Sequence, residues 1–170
     1  MMPLAYVIGD ARGLSDRLLA EVAARLGAEG WALAGVTQSN DEVPGTDRCD
    51  MHLRILGRHE VVRISQSLGA GSSGCRLDPE GLEAAVGLVG GTLAEAKLLI
   101  VNKFGKAEIE GRGFRALIGE ALAAGLPVLT AVNALNLPEF ERFAEGLAVR
   151  LPTEPGAVLG WCRAMAAATI

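Results

Sequence analysis

The sequence predicts a three-layer α/β protein: a mostly parallel sheet with helices on both faces, extended by an inserted antiparallel hairpin. Three observations carry this reading. Leu4–Ile8, Ala96–Val101 and Val128–Val132 are short aliphatic runs of the kind that form strands buried on both faces. They alternate with stretches whose apolar residues recur at helical spacing. In the middle, Met51, Leu53 and Ile55 alternate with His52 and Arg54, which marks a half-buried strand.

The elements follow in order. Leu4–Ile8 ends at Gly9. After the turn Gly9-Asp10-Ala11-Arg12-Gly13, Leu14, Leu18, Leu19, Val22, Ala23 and Leu26 mark a helix, stopped by Gly27 and Gly30. Trp31–Thr37 is a second strand, and strand-helix-strand order favours parallel pairing. Ser39–Asp47 reads as a loop around Pro44-Gly45. The strand at Met51–Leu56 turns at Gly57-Arg58-His59-Glu60 into Val61–Ile64, a hairpin. A glycine-rich loop, Leu68–Cys75, leads to Asp78-Pro79, the favoured start of a helix that Gly90-Gly91 ends. Ala96–Val101 is the central strand, and Asn102–Gly113 a charged loop. A helix with Phe114, Leu117, Ile118 and Leu122 follows, and then the strand Val128–Val132. Asn136 and Glu139 have the spacing of a capping box for a helix carrying Phe140, Phe143 and Leu147. Glu154–Ala168 is a last helix. With no repeat and no long linker, residues 1–170 read as one domain.

Composition excludes several classes. Half of the residues are hydrophobic but only 4% are aromatic, so the core is aliphatic. A net charge of −4 gives no broad attraction to nucleic-acid phosphates. No apolar run approaches the ~20 residues of a membrane span, and no signal peptide is evident. The default is a cytoplasmic protein. Cys49, Cys75 and Cys162 are scattered, with neither a disulfide framework nor metal-ligand spacing. His52 and His59 lack partners at such spacing, so no metal site is expected. Cys75, in its glycine-rich loop, is a weak nucleophile candidate.

In an open parallel sheet, ligands bind beyond the carboxyl ends of the strands. The turn Gly9–Gly13 between strand and helix is an anion site in principle, because helix N-termini present unpaired N–H groups. The phosphate-binding pattern GxxxxGK[ST], aligned from Gly9, places Ser15 where the lysine belongs and Asp16 where the hydroxyl belongs. Arg12 offers a substitute charge. After the central strand, Asn102-Lys103 stands where nucleotide hydrolases hold an acidic metal ligand. Two of the chain's three lysines, Lys103 and Lys106, fall in this loop with Arg112, Gly105 and Gly111. Thr130 and Asn133 close the third strand.

The segments VNKFGKAEIEGRGFR (Val101–Arg115), GCRLDP (Gly74–Pro79) and LPVLTAVN (Leu126–Asn133) resemble an uncharacterised bacterial family, some of whose members are linked to molybdate transport ATPases. The layout is also similar to small phosphate-loop nucleoside-triphosphatases, which implies a sheet of phosphate-loop NTPase type. In that resemblance Gly9 and Gly13 match the phosphate loop, and Gly105 the glycine after the acidic pair. Ser15, Asp16, Asn102 and Lys103 depart from it.

The expected function is a degenerate phosphate-loop-like module. It binds a small anionic ligand (nucleotide, phosphorylated metabolite or oxyanion) without ordinary NTP hydrolysis. The backbone of Gly9, Asp10, Ala11, Arg12 and Gly13, with Ser15, cups the anion. Lys103, Lys106 and Arg112 supply charge, Gly105 gives close approach, and Asn102 and Asn133 orient. No cofactor is named by these residues. One alternative is an enzyme using Lys103 or Lys106 as base or imine former. Another is an interaction module, partnered by a second copy or by a molybdate transporter.

Overall fold

A computed structural model describes residues 2–42, 49–66 and 76–168. Its strands are β1 (Leu4–Val7), β2 (Leu33–Glu42), β3 (Cys49–Ile55), β4 (Val61–Arg63), β5 (Ser65–Gln66), β6 (Arg76–Leu77), β7 (Leu98–Val101), β8 (Val128–Ala131) and β9 (Ala148–Arg150). Its helices are α1 (Leu14–Ala28), α2 (Pro79–Gly90), α3 (Lys106–Ile109), α4 (Arg115–Ala123), α5 (Leu137–Ala144) and α6 (Pro155–Ala168). The main sheet runs β4-β3-β2-β7-β8-β1-β9, and β5 pairs with β6 separately. From β2 to β9 all neighbours are parallel, while β2-β3 and β3-β4 are antiparallel.

Alternation within each buried strand separates two cores. Leu99 and Val101 of β7 pack with Leu4 and Tyr6 of β1 under α2, α4 and α5. Leu98 and Ile100 pack with Ala5 and Val7 on the other face, under α1 and α6. This is why the strands lack a polar face: each successive side chain meets a different helical layer. Tyr6 and the four phenylalanines lie in the first core, and the two tryptophans in the second. Phe140 stacks on Tyr6 and Phe104, with centroids 5.0 and 5.1 Å apart.

β2 joins the parallel and antiparallel parts of the main sheet. Leu33–Gly35 pair with β7, and Val36–Glu42 pair with β3. Gly35 sits at the change, with φ +115°, and a Cβ there would lie 1.8 Å from the Ile100 carbonyl oxygen. Only glycine tolerates that conformation and that approach.

The helix start at Asp78-Pro79 is as expected, with the Asp78 side chain accepting the Glu80 N–H. Four expectations need correction. Ser39–Glu42 is strand, not loop, because one face of an antiparallel pair is solvated and accepts polar residues. The 102–113 loop contains α3. The cap at the next connection is Asn133, whose side chain accepts the Asn136 N–H, and Asn136 itself caps nothing. The last correction concerns α5, which stops at Ala144, where Glu145 and Gly146 adopt positive φ and free Ala148–Arg150 to form β9. Leu147 is thus outside the helix. The glycine-rich segment through Cys75 and residues 43–48 lie outside the described residues.

Gly35→Ala is expected to lower stability by about 3 kcal/mol or more, since it adds both backbone strain and a clash with β7. Urea unfolding followed by circular dichroism measures this.

Candidate functional site

The order β7-β8-β1 brings the three strand ends side by side. The connections lean on one another: the Phe104 N–H donates to Ala131 (2.9 Å) and the Val132 N–H to Val7 (3.0 Å). Phe104 is fully buried and stacks against Phe143 as well as Phe140, which pins the turn after β7. An isolated Phe inside a charged segment was the available signal for this anchor.

The turn 9–13 is tightly wound. Gly13 caps α1 in the left-handed region, φ +76°, and the Leu14 N–H donates to the Ala11 carbonyl (3.0 Å). A Cβ on Gly9 would stand 3.0 Å from the Ser15 nitrogen, so the backbone comes close to the helix start there. Arg17, one turn into α1, puts its Nη1 2.9 Å from where a Gly13 Cβ would be. The turn therefore has a guanidinium beside it that the sequence reading missed. Its position four residues after Gly13, on the same helix face, was the signal. Arg12 is exposed.

At the carboxyl end of β7, Asn102 is buried at 3% exposure. Its Nδ2 donates to Asp16 (2.9 Å) and to the Gln38 side chain (3.2 Å), and its Oδ1 accepts the Gln38 N–H (3.1 Å). Asn40 donates to the other Asp16 oxygen (3.1 Å) and accepts from Gln38 Nε2 (2.9 Å). Asp16, Asn102, Gln38 and Asn40 thus form a closed ring joining α1, β7 and β2. In the sequence Asp16 stands only as a departure from the phosphate-binding pattern, and Gln38 and Asn40 have no role, because their partners lie up to 86 residues away in the chain.

The lysines lie elsewhere. Lys103 and Lys106 line a cavity of about 260 Å³ with Val36, Leu53, Leu82 and Phe114, all four in the core under α2 and α4. That is the sheet face opposite α1. Both lysines are exposed. Lys106 stands 3.9 Å from Glu110, which also binds Arg112. Arg112 is therefore engaged by a carboxylate.

Beneath this cavity Glu108 is buried at 4% exposure. Its two oxygens accept the N–H groups of Gly105 (2.9 Å) and Phe114 (3.0 Å), and so fasten both ends of the loop. Burial pushes its carboxyl pKa up against the opposing pull of those donors, and Glu83 adds repulsion. Gly113 is required here, as a Cβ would meet Glu108 at 1.9 Å.

Asn133 and His52 have structural partners, whereas the buried Thr130 hydroxyl has no hydrogen-bond partner among the described residues. Asn133 spends its amide oxygen as a cap, and Thr130 is completely buried in β8. His52 lies 3.7 Å from Asp41, and His59 is exposed. Burial drives the Cys162 thiol up to about 12, so it stays protonated and inert. Among the described residues no group of three or more His, Cys, Asp or Glu is placed to hold a metal ion. A larger cavity, about 690 Å³, opens at the opposite end of the sheet, beside Lys97 and Pro127 ahead of β7 and β8.

The mixed sheet with helices on both faces, extended by antiparallel β3 and β4, has an architecture that resembles the phosphate-loop NTPase fold. The chain belongs to the family described as "Protein of unknown function (DUF2478)", which matches residues 4–161. It is 34% identical over 149 residues to the "Molybdenum import ATP-binding protein ModC 2" of Bradyrhizobium diazoefficiens, a match that covers 87% of this chain but only 17% of that relative. Among solved structures it is similar to THEP1 from the hyperthermophile Aquifex aeolicus, with a TM-score of 0.57, 16% identity and 90% of each chain covered. Among the described residues no helix is long and apolar enough to cross a membrane.

Two outcomes test this geometry. Asn102→Asp sets a second carboxylate against Asp16 and removes the donor between them. Denaturant unfolding should show a loss exceeding the ~1–3 kcal/mol of a broken buried hydrogen bond at pH 7, recovering on acidification as the pair takes up a proton. For Glu108 the folded pKa lies above the unfolded one. Its contribution is therefore complete below the unfolded carboxyl pKa and is lost as pH rises through the folded value. Unfolding measured from pH 4 to pH 7 should lose that part of its pH dependence in Glu108→Gln.

Proposed function

We propose that this chain is a degenerate phosphate-loop module that binds an anionic ligand at the turn Gly9–Gly13 without ordinary NTP hydrolysis. The observation that carries the reading is the ring Asp16–Asn102–Gln38–Asn40. It fills the position where phosphate-loop enzymes set a hydroxyl and an acidic residue around Mg²⁺. Here the carboxylate of Asp16 is held by two carboxamides, and the oxygen of Asn102 by a backbone N–H. This donor set does not match a hydroxyl-plus-carboxylate metal site, so no step through a metal is derived. A carboxamide does not titrate, and Asn102 is no general base for an attacking water.

Binding then falls to other groups. The first turn of α1 offers its N–H groups and dipole, and Arg12 and Arg17 supply positive charge. Ser15 replaces the lysine that would reach the outer phosphates. Ligands with compact charge, such as phosphate, molybdate or the diphosphate of a nucleotide, suit such a site. The likeness to a relative named as a molybdenum import ATP-binding protein supports including molybdate. It also supports the reading of the chain as an accessory module beside such an ATPase.

Calorimetric titration with ATP, GTP, phosphate and molybdate, with and without Mg²⁺, tests the proposal. At least one ligand should bind, and Arg12→Ala with Arg17→Ala should weaken it about tenfold. No heat from any of the four overturns it. Phosphate release from ATP above a buffer blank overturns the non-hydrolytic part.

A further inference from the structure

A strand is also a partition. Asp16 and the turn 9–13 approach β7 from the α1 side, whereas the cavity holding Lys103 and Lys106 opens on the side of α2 and α4. Among the described residues only Gln38 and Asn102 belong to both, since they join the amide ring and also line the cavity. The basic loop therefore does not serve the phosphate-binding turn across an open crevice. It frames a compartment of its own.

We propose that this compartment is a second ligand site, for a small organic anion. Lys103 and Lys106 hold its carboxylate or phosphate group, and Val36, Leu53, Leu82 and Phe114 enclose its apolar body.

Size decides against a nucleotide. About 260 Å³ lies below the ~300–1,000 Å³ of pockets for drug-sized ligands. The walls are aliphatic and aromatic and come from β2, β3, α2 and the segment before α4, so they are set by the core rather than by a loose surface. Charge decides the sign of the headgroup. Among the described residues the one buried carboxylate in the lining, Glu108, already accepts two backbone N–H groups, and it offers a cationic ligand no free oxygen pair. The two ammonium groups at the rim are exposed, and the Lys106–Glu110 contact of 3.9 Å is loose. An anion gains both charges there. This site does not rest on the phosphate-turn reading, because it uses another face and other residues.

Backbone amide NMR of the full ¹⁵N-labelled chain tests it, with benzoate and phenyl phosphate as probes and benzyl alcohol and inorganic phosphate as controls. Saturable shifts are expected at Leu53, Leu82, Ala107 and Phe114 from at least one organic anion, with either control at least fivefold weaker. The double variant Lys103→Ala with Lys106→Ala should weaken binding at least fivefold while the rest of its spectrum stays in place, and each single variant should fall between. Four results overturn the site: no saturable shift from either anion, equal binding of benzyl alcohol, unchanged affinity in the double variant, or shifts confined to residues 9–15. An ATP titration of the same sample separates the two readings. If benzoate binds as described and ATP moves nothing at Gly9–Ser15, nucleotide binding at the turn fails and the second site stands.

Discussion

A single buried carboxamide holds the functional end of this protein together. Asn102 leaves a strand enclosed on both faces, at a point where water does not reach it. It must find both donors and acceptors within the protein. It does so by accepting from the β2 backbone and donating to Asp16 and Gln38. A carboxylate in its place would accept but not donate, and would face the charge of Asp16. The position of α1 against β2 and β7, and with it the shape of the turn before α1, follows from an amide being there.

The same strand separates two chemistries. Alternate residues of β7 face different cores, and the chain diverges just beyond its end. The amide turns toward α1, while the lysines that follow border the hairpin and α2. Residues adjacent in sequence therefore serve opposite faces of the sheet. The glutamate of the basic loop, buried and doubly hydrogen-bonded to backbone, fastens that loop and leaves the positive charge at its rim. Phe104 anchors the other side of the turn in the aromatic cluster with Phe140 and Phe143.

Compared with the phosphate-binding pattern, the charges have moved. The turn lacks its lysine and has guanidinium groups nearby instead, one of them a helical turn further on. The strand end has exchanged acid for amide and the helix start has exchanged hydroxyl for acid, so the pair still meets through a hydrogen bond, with its chemistry inverted. In the proposed reading, the fold carries a site without the groups that activate water, which is the sense in which architecture does not fix activity.

Aliphatic runs and helical spacing, read along the chain, were enough for the parallel sheet, the hairpin, the Asp78-Pro79 helix start and the placing of the turn at Gly9–Gly13. Those features depend on local burial, which each residue's own side chain records. The three-residue edge strand β9 was illegible, because its length is too short for a period to show and Leu147 continued the helical pattern of α5. The polar end of β2 read as loop because its partner, not its composition, makes it a strand. Above all, the ring joining Asp16, Gln38, Asn40 and Asn102 and the separation of the lysines from the turn Gly9–Gly13 belong to the tertiary structure alone. Hydrogen bonds between groups tens of residues apart leave no periodic trace, and only the packing of α1, β2 and β7 brings them within reach.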